Sequence, residues 1–284
     1  MKKLESRLIL VEGLPSTGKS TTAELTKEIL DEMNIDNELI LEGNLDHPAD
    51  YDGVAYFTEG QLKGLKKRFN EYEKFIDKII EQRKEGYFIS YIKKIKEYED
   101  DFPKELFRAI KKYDIYEIPL DLNRKLILNK WERFVKKAKN QDKVYIFECV
   151  FIQNPVTVSI IRNNASIDTA YSYIKVLKDI IEELNPVLFY LEQNDIESSF
   201  NKVIEERPEW WLDFFIDYYT NYEFGRKRNL EGLKGTIKGL KEIDNIQKEL
   251  ISKLEMQKYS LNNSHYNLEK SKNSIKNILK GIIK

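Results

Sequence analysis

The chain has 284 residues, 41% hydrophobic and 33% charged, and its 47 Lys and Arg against 48 Asp and Glu leave a formal net charge of −1. That length buries a substantial core as one large domain or one domain with an insertion, and the balanced charge offers none of the basic excess on which nucleic-acid binders rely. Cys149 is the only cysteine, which excludes an internal disulfide and a thiolate zinc cluster. The first apolar run, Leu8 to Val11, is too short for a signal peptide. No run reaches the roughly 18 apolar residues that cross a bilayer, so the cytoplasm is expected, with neither membrane nor nucleic acid as partner.

Taken in chain order, five short apolar runs read as strands: Arg7 to Val11, Asn37 to Leu41, Lys143 to Phe147, Val187 to Leu191, and a weaker Lys258 to Leu261. Helical patterns separate them, which predicts a parallel sheet covered on both faces. The helices expected are Ser20 to Met33, Ser166 to Leu184 (stopped by Asn185-Pro186), Glu231 to Glu255 and Asn267 to Ile283. Between the second and third strands, residues 60–142 carry apolar side chains at three- and four-residue spacing, such as Phe69, Tyr72, Phe75, Ile76, Ile79 and Ile80. That block is too long for one crossover helix. It predicts a helical insertion over the sheet where a substrate would bind, or a helical pair that merely covers the sheet. The expected organisation is a single domain over 1–284 with this insertion.

The segment Gly13-Leu14-Pro15-Ser16-Thr17-Gly18-Lys19-Ser20 follows the first strand and opens a helix. The glycines let successive N–H groups converge on phosphates, and the helix start adds partial positive charge. Gly13, Pro15, Ser16, Thr17, Gly18, Lys19, Ser20 and Thr21 are therefore expected to cradle ATP. Lys19 should reach the β- and γ-phosphates and the Ser20 hydroxyl should ligate Mg²⁺.

Chemistry in open parallel sheets gathers at the carboxyl ends of the strands. The second strand runs into Glu42-Gly43-Asn44-Leu45-Asp46-His47-Pro48, and the third into Glu148. Glu148 is expected in the Mg²⁺ shell with Ser20, and Glu42 or Asp46 as the general base, with helix capping or loop bonding as the alternative for both. His47 has no metal-ligand spacing and reads as a surface or hydrogen-bonding residue. Gln153 and Asn154 suit reading a base or sugar edge, or form an Asn-Pro turn. Residues 200–230 read as a lid in which Arg207, or else Arg226 or Arg228, meets charge on a transferred phosphoryl group. Trp210, Trp211, Phe214 and Phe215 read as core.

This layout resembles the nucleoside and nucleotide kinases of the P-loop class, of the thymidylate kinase and deoxynucleoside kinase type. The resemblance implies a three-layer P-loop NTPase fold with a five-stranded parallel sheet in the order 2-3-1-4-5. It also implies ATP as donor, Mg²⁺, and a small-molecule acceptor; a homodimer stays open. Glu42 stands where deoxynucleoside kinases keep their base, and Glu148 where they keep the Glu of a Glu-Arg-Ser motif. Cys149 and Val150 replace the Arg and Ser of that motif. The stretches Glu-Gly-Asn-Leu-Asp-His-Pro and Phe-Glu-Cys are also similar to a group of bacterial P-loop proteins. A phosphotransferase with Lys19, Glu42, Asp46, Glu148 and Arg207 as its catalytic set is thus expected, acting on a nucleoside or nucleotide. A sugar or antibiotic hydroxyl as acceptor, or a non-kinase P-loop ATPase switch, are the alternatives. The absence of an Asn-Lys-x-Asp guanine-reading sequence speaks against a GTPase switch.

Overall fold

The computed structural model describes residues 5–282. Met1 to Leu4 of the N-terminal reading, and Ile283 at the expected end of the last helix, lie outside the described residues. In chain order the elements begin with β1 (Leu8–Gly13), α1 (Lys19–Glu32) and β2 (Asn37–Ile40). They continue with β3 (Ala55–Phe57), α2 (Glu59–Arg68), α3 (Glu73–Ile79), β4 (Glu81–Arg83), β5 (Gly86–Ile89), α4 (Tyr91–Tyr98), α5 (Lys104–Lys111) and α6 (Leu120–Ala138). After these come β6 (Val144–Glu148), α7 (Gln153–Val156), α8 (Ile167–Ile181), β7 (Val187–Glu192), α9 (Ile196–Glu206) and α10 (Glu209–Thr220). The chain closes with α11 (Glu223–Lys227), α12 (Gly232–Ser252), β8 (Gln257–Asn262) and α13 (Leu268–Gly281). Among the described residues no helix is long and apolar enough to cross a membrane.

The chain divides into two compact units: Gly43–Lys130 is one, and the segments before and after it form the other. The larger unit carries a five-stranded, all-parallel sheet in the order β2-β6-β1-β7-β8. Numbered among these five strands alone, the order reads 2-3-1-4-5. Every residue of β1 is buried, as a continuous apolar run requires when both faces of a parallel strand are covered. Alternate side chains serve the two faces. Ile9, Val11, Ile146 and Phe189 pack with Ala23, Ile29 and Leu30 of α1 and with Ile275 and Leu279 of α13. On the other face Trp131 of α6 meets Phe147 at 5.7 Å between ring centroids. There too Tyr190 of β7 donates its hydroxyl to Gln247 of α12 at 3.1 Å. Helices thus sandwich the sheet, making this unit α/β with three layers.

Gly43–Lys130 corrects the expectation of a helical insertion over 60–142. It contains a three-stranded antiparallel sheet in the order β3-β5-β4. Arg83 pairs with Gly86 across a two-residue turn, and Gly86, with φ 145°, takes a conformation open to glycine. That turn sits just past the helical run ending at Ile79, so the 3.6-residue period hides the hairpin that follows. A separate core built from Phe57, Ile76, Ile89, Phe102, Leu106 and Ile110, with their neighbours, fills this unit. Its helix α2 starts with a full capping box between Thr58 and Gln61.

His47 lies buried in the same unit, and its Nδ1 accepts the backbone N–H of Ala49 at 3.1 Å. The hydrogen-bonding reading of His47 holds, and the surface reading does not. Burial, with help from the Lys130 charge, pushes its pKa down from 6.5 to about 3. The native state therefore binds fewer protons at His47 than the unfolded chain does. Its contribution to stability is complete above pH 6.5 and is lost as the pH falls toward 3. The expected outcome is a urea midpoint that falls between pH 7 and pH 4 more steeply in the wild type than in His47→Asn, which keeps the acceptor and cannot charge; parallel profiles would contradict it.

Candidate functional site

The backbone between β1 and α1 is wound for close approach. Gly13 has φ 149° and Gly18 φ 87°, while Ser16 adopts φ 74°, a left-handed conformation rare outside glycine. A Cβ on Gly13 would lie 2.8 Å from the Leu191 carbonyl oxygen of the adjacent strand, and one on Gly18 2.5 Å from Asn263 Nδ2. The Asn263 side chain, between β8 and α13, donates to the Thr17 carbonyl at 2.9 Å and so holds the loop from outside. No side chain caps the start of α1. Its first N–H groups are left for an anion, at the positive end of the helix dipole.

Lys19 is the first residue of α1, and its ammonium folds back to donate to the Leu14 carbonyl at 2.8 Å. Burial opposes its charge, but the nearby carboxylates of Glu42, Glu148 and Glu12 hold its pKa above the usual range. The Ser20 hydroxyl donates to Glu148 Oε1 at 2.7 Å, and the Glu42 backbone N–H donates to Glu148 Oε2 at 3.1 Å. Glu148, at the end of β6, is 2% exposed. One buried carboxylate thereby ties the start of α1 to the end of β2.

Glu42 is exposed, and its carboxylate is oriented from two sides. The Cys149 thiol donates to Oε2 at 3.2 Å and Gln153 Nε2 donates to Oε1 at 3.2 Å. Gln153 thus reaches Glu42 with its amide nitrogen, while its Oε1 is buried without a hydrogen-bond partner. Burial raises the Cys149 pKa well above its normal value, with Lys19 pulling the other way. The thiol stays protonated and acts as a donor. Cys149 also has φ 68°, a strained conformation for a side chain with a Cβ.

Glu42, Glu148 and Cys149 bring one potential metal-ligating atom each to within 4.8 Å of one another. With Ser20 against Glu148, the site offers hard oxygen donors that suit Mg²⁺, which takes only one or two carboxylates and keeps its waters. A protonated, buried thiol suits it poorly. Ser20 and Glu148 therefore fit the metal role expected of them.

The expected lid is three helices, α9 to α11. Arg207 follows α9, exposed, without an ion-pair partner among the described residues, and lines a cleft of about 760 Å³ with Lys19, Ser20, Glu42 and Glu148. Arg226 instead pairs with Glu223 at 2.6 Å, and Arg228 pairs with Glu242 at 2.7 Å while lying over the Phe224 ring. Pro15, Ser16, Gly18 and Thr21 line the same cleft. Thr17, also in the loop, turns its hydroxyl to the Leu14 carbonyl at 2.8 Å. Asp46 belongs to Gly43–Lys130, where it is exposed and pairs with Lys93.

The core reading of α10 is half corrected. Trp211 and Phe215 pack on each other as a tilted pair with centroids 4.2 Å apart, but Trp210 is 67% and Phe214 56% exposed. Helical spacing explains the split, since residues four apart share a face: the Trp211–Phe215 stripe packs on Phe200, and both stripes line the cleft, with Trp210 and Phe214 the more exposed. Of the five exposed large apolar side chains among the described residues, four line that cleft: Trp210, Phe214, Tyr266 and Leu268.

Glu12 is the residue the sequence reading passed over. It is fully buried in β1 next to Gly13 and accepts the backbone N–H groups of Phe151 at 2.7 Å and Gln153 at 2.9 Å. Burial pushes its pKa up from 4.5 to about 7, against the backbone donors of Gln153, Phe151 and Ile152 and the Lys19 charge. Its signal was available: a glutamate inside an otherwise apolar strand, one residue before the loop.

The loop geometry can be checked directly. Gly18→Ala forces a methyl group onto Asn263 at a left-handed φ and should cost about 1–3 kcal/mol. An unchanged urea midpoint would contradict the close approach of Asn263. A comparison with protein-family models finds no match, and one with curated proteins finds no significant relative.

Proposed function

We propose that the protein is a cytoplasmic, ATP-dependent phosphotransferase of the P-loop class, moving the γ-phosphoryl group to a nucleoside or nucleotide. The observation that carries this reading is the uncapped start of α1, wound by Gly13 and Gly18, with Lys19 and the Ser20–Glu148 pair beside it. The loop lies at the carboxyl end of the central strand of a parallel sheet, where α/β proteins place ligands. The order 2-3-1-4-5 of the five parallel strands is the order the P-loop kinase resemblance implies, and supports it.

In this reading the loop N–H groups and the α1 start bind the β- and γ-phosphates, and Lys19 leaves the Leu14 carbonyl to meet them. A Mg²⁺ held by Ser20 and Glu148 would neutralise charge between the β- and γ-phosphates. Arg207, on the same cleft, meets charge on the transferring group. Glu42 accepts the proton of the acceptor hydroxyl, whose oxygen bonds to the γ-phosphorus as the bridging P–O bond breaks and ADP leaves. A phosphate acceptor needs no such base. The aromatic and apolar side chains around the cleft, Trp210, Phe214, Tyr266 and Leu268, favour planar bases over the hydroxyl-rich surface of a sugar.

The test is a screen of nucleosides, nucleotides, sugars and aminoglycosides for ADP release that depends on the acceptor. A response confined to nucleosides or nucleotides is expected, and ADP release indifferent to every acceptor would replace this reading with an ATPase switch. With the responding acceptor in hand, Glu42→Gln should lower kcat by about 10²–10⁴-fold, the usual contribution of a general base, with little change in KM for ATP. A retained kcat would remove Glu42 from the role of base.

A further inference from the structure

The phosphate-loop reading leaves the buried Glu12 without a task. A carboxylate taken wholly out of water is costly, and this one lies in the central strand of the sheet, where an apolar residue would pack at no such cost. Its two oxygens are spent on one short stretch of backbone: Oε1 accepts from Phe151 and Oε2 from Gln153. That stretch is the sharp turn after Glu148, where Cys149 takes φ 68° and the Cys149 N–H is held by the Val11 carbonyl at 3.2 Å. The two ends of the turn carry the side chains that grip Glu42, the Cys149 thiol on Oε2 and the Gln153 amide on Oε1.

We propose that Glu12 is a positioning residue for Glu42: by holding the N–H groups of Phe151 and Gln153 it fixes the turn, and through Cys149 and Gln153 it sets the direction of the Glu42 carboxylate. This rests on the reading of Glu42 as the base. The path runs through contacts only. Glu12 holds two backbone donors, the backbone fixes the origins of two side chains, and those two side chains hold both oxygens of Glu42. Glu12 touches no reacting atom itself. Glutamine at the position is nearly isosteric but turns an N–H₂ toward one of the two backbone N–H groups, so one arm of the clamp is lost and a donor meets a donor. Aspartate is a methylene shorter and keeps both acceptors at reduced reach.

Cys149 supplies a direct reporter, being the only cysteine and 0% exposed. In Glu12→Gln, labelling of Cys149 by a thiol-reactive disulfide reagent should run roughly tenfold faster as the turn opens locally. Acceptor-dependent kcat should fall about a hundredfold, because misplacing a catalytic group by an ångström costs that much, while Kd for Mg-ATP stays within about threefold. Glu12→Asp should recover part of the lost kcat. Unchanged labelling, an unchanged kcat, or a loss of ATP affinity as large as the loss in kcat would overturn the proposal. Should Glu12→Gln fail to fold, amide exchange in the wild type decides: Phe151 and Gln153 N–H groups as slow as those of β1 support the clamp, and fast exchange at both refutes it. Failure of the kinase reading looks different. The wild type would then turn over no acceptor while Glu12→Gln still exposed Cys149.

Discussion

A single buried carboxylate organises the site. Glu148 ends β6, the strand between β2 and β1, and each of its oxygens holds a neighbouring segment: Ser20 at the start of α1, and the Glu42 backbone at the end of β2. Ionised groups at 2% exposure persist only when hydrogen-bonded and charge-compensated. Here the donors are a hydroxyl and a backbone amide, and the compensating charge is Lys19. Placing Glu148 therefore places the uncapped start of α1 and the exposed Glu42 with respect to each other. The parallel sheet does the rest, because strands in register bring their carboxyl ends to one edge.

Around that point the site combines rigidity with contained strain. Gly13 and Gly18 relieve it where the backbone nears Leu191 and Asn263. Ser16 and Cys149 accept it, each at a positive φ that a side chain disfavours. Both strained residues sit in turns held by outside contacts: the β1–α1 loop by Asn263, and the turn after β6 by Glu12 and the Val11 carbonyl. Strain persists where surrounding bonds over-determine the backbone, which fits a surface that must present donors to a ligand without rearranging. Helices α9 and α10 contrast with this, carrying exposed Trp210 and Phe214 and an exposed Arg207 at a helix end.

Much of the frame was legible in the sequence because short strands buried on both faces are near-continuous apolar runs, and β1, β6 and β7 are of that kind. β8 was legible only weakly, since its residues alternate between half-buried and exposed at the sheet edge. The tight winding of the β1–α1 loop was legible because such a strand-to-helix turn needs glycine where the backbone takes a positive φ or nears its neighbours, as at Gly13 and Gly18. The hairpin of Gly43–Lys130 was not, because three-residue strands such as Glu81–Arg83 carry too few positions to show a period of two. Gln153 and Glu12 show a different limit. Their partners are more than a hundred residues away, Glu42 for one and the turn after β6 for the other, and no local spacing records a contact of that kind. The exposure of Trp210 beside the packed Trp211 is likewise set by which face of α10 meets Phe200.

The central claim is that Lys19 and the turn from Gly13 to Gly18 gather the phosphates of a nucleotide. Calorimetric titration of Mg-ATP into the wild type and into Lys19→Ala, with folding of both checked by circular dichroism, tests it most directly. The account predicts saturable one-to-one binding in the wild type and its loss, or a weakening of at least about a hundredfold, in a folded Lys19→Ala, since a desolvated ammonium–phosphate contact contributes about 3 kcal/mol. No heat of binding in the wild type, or equal affinity in the two proteins, would contradict it.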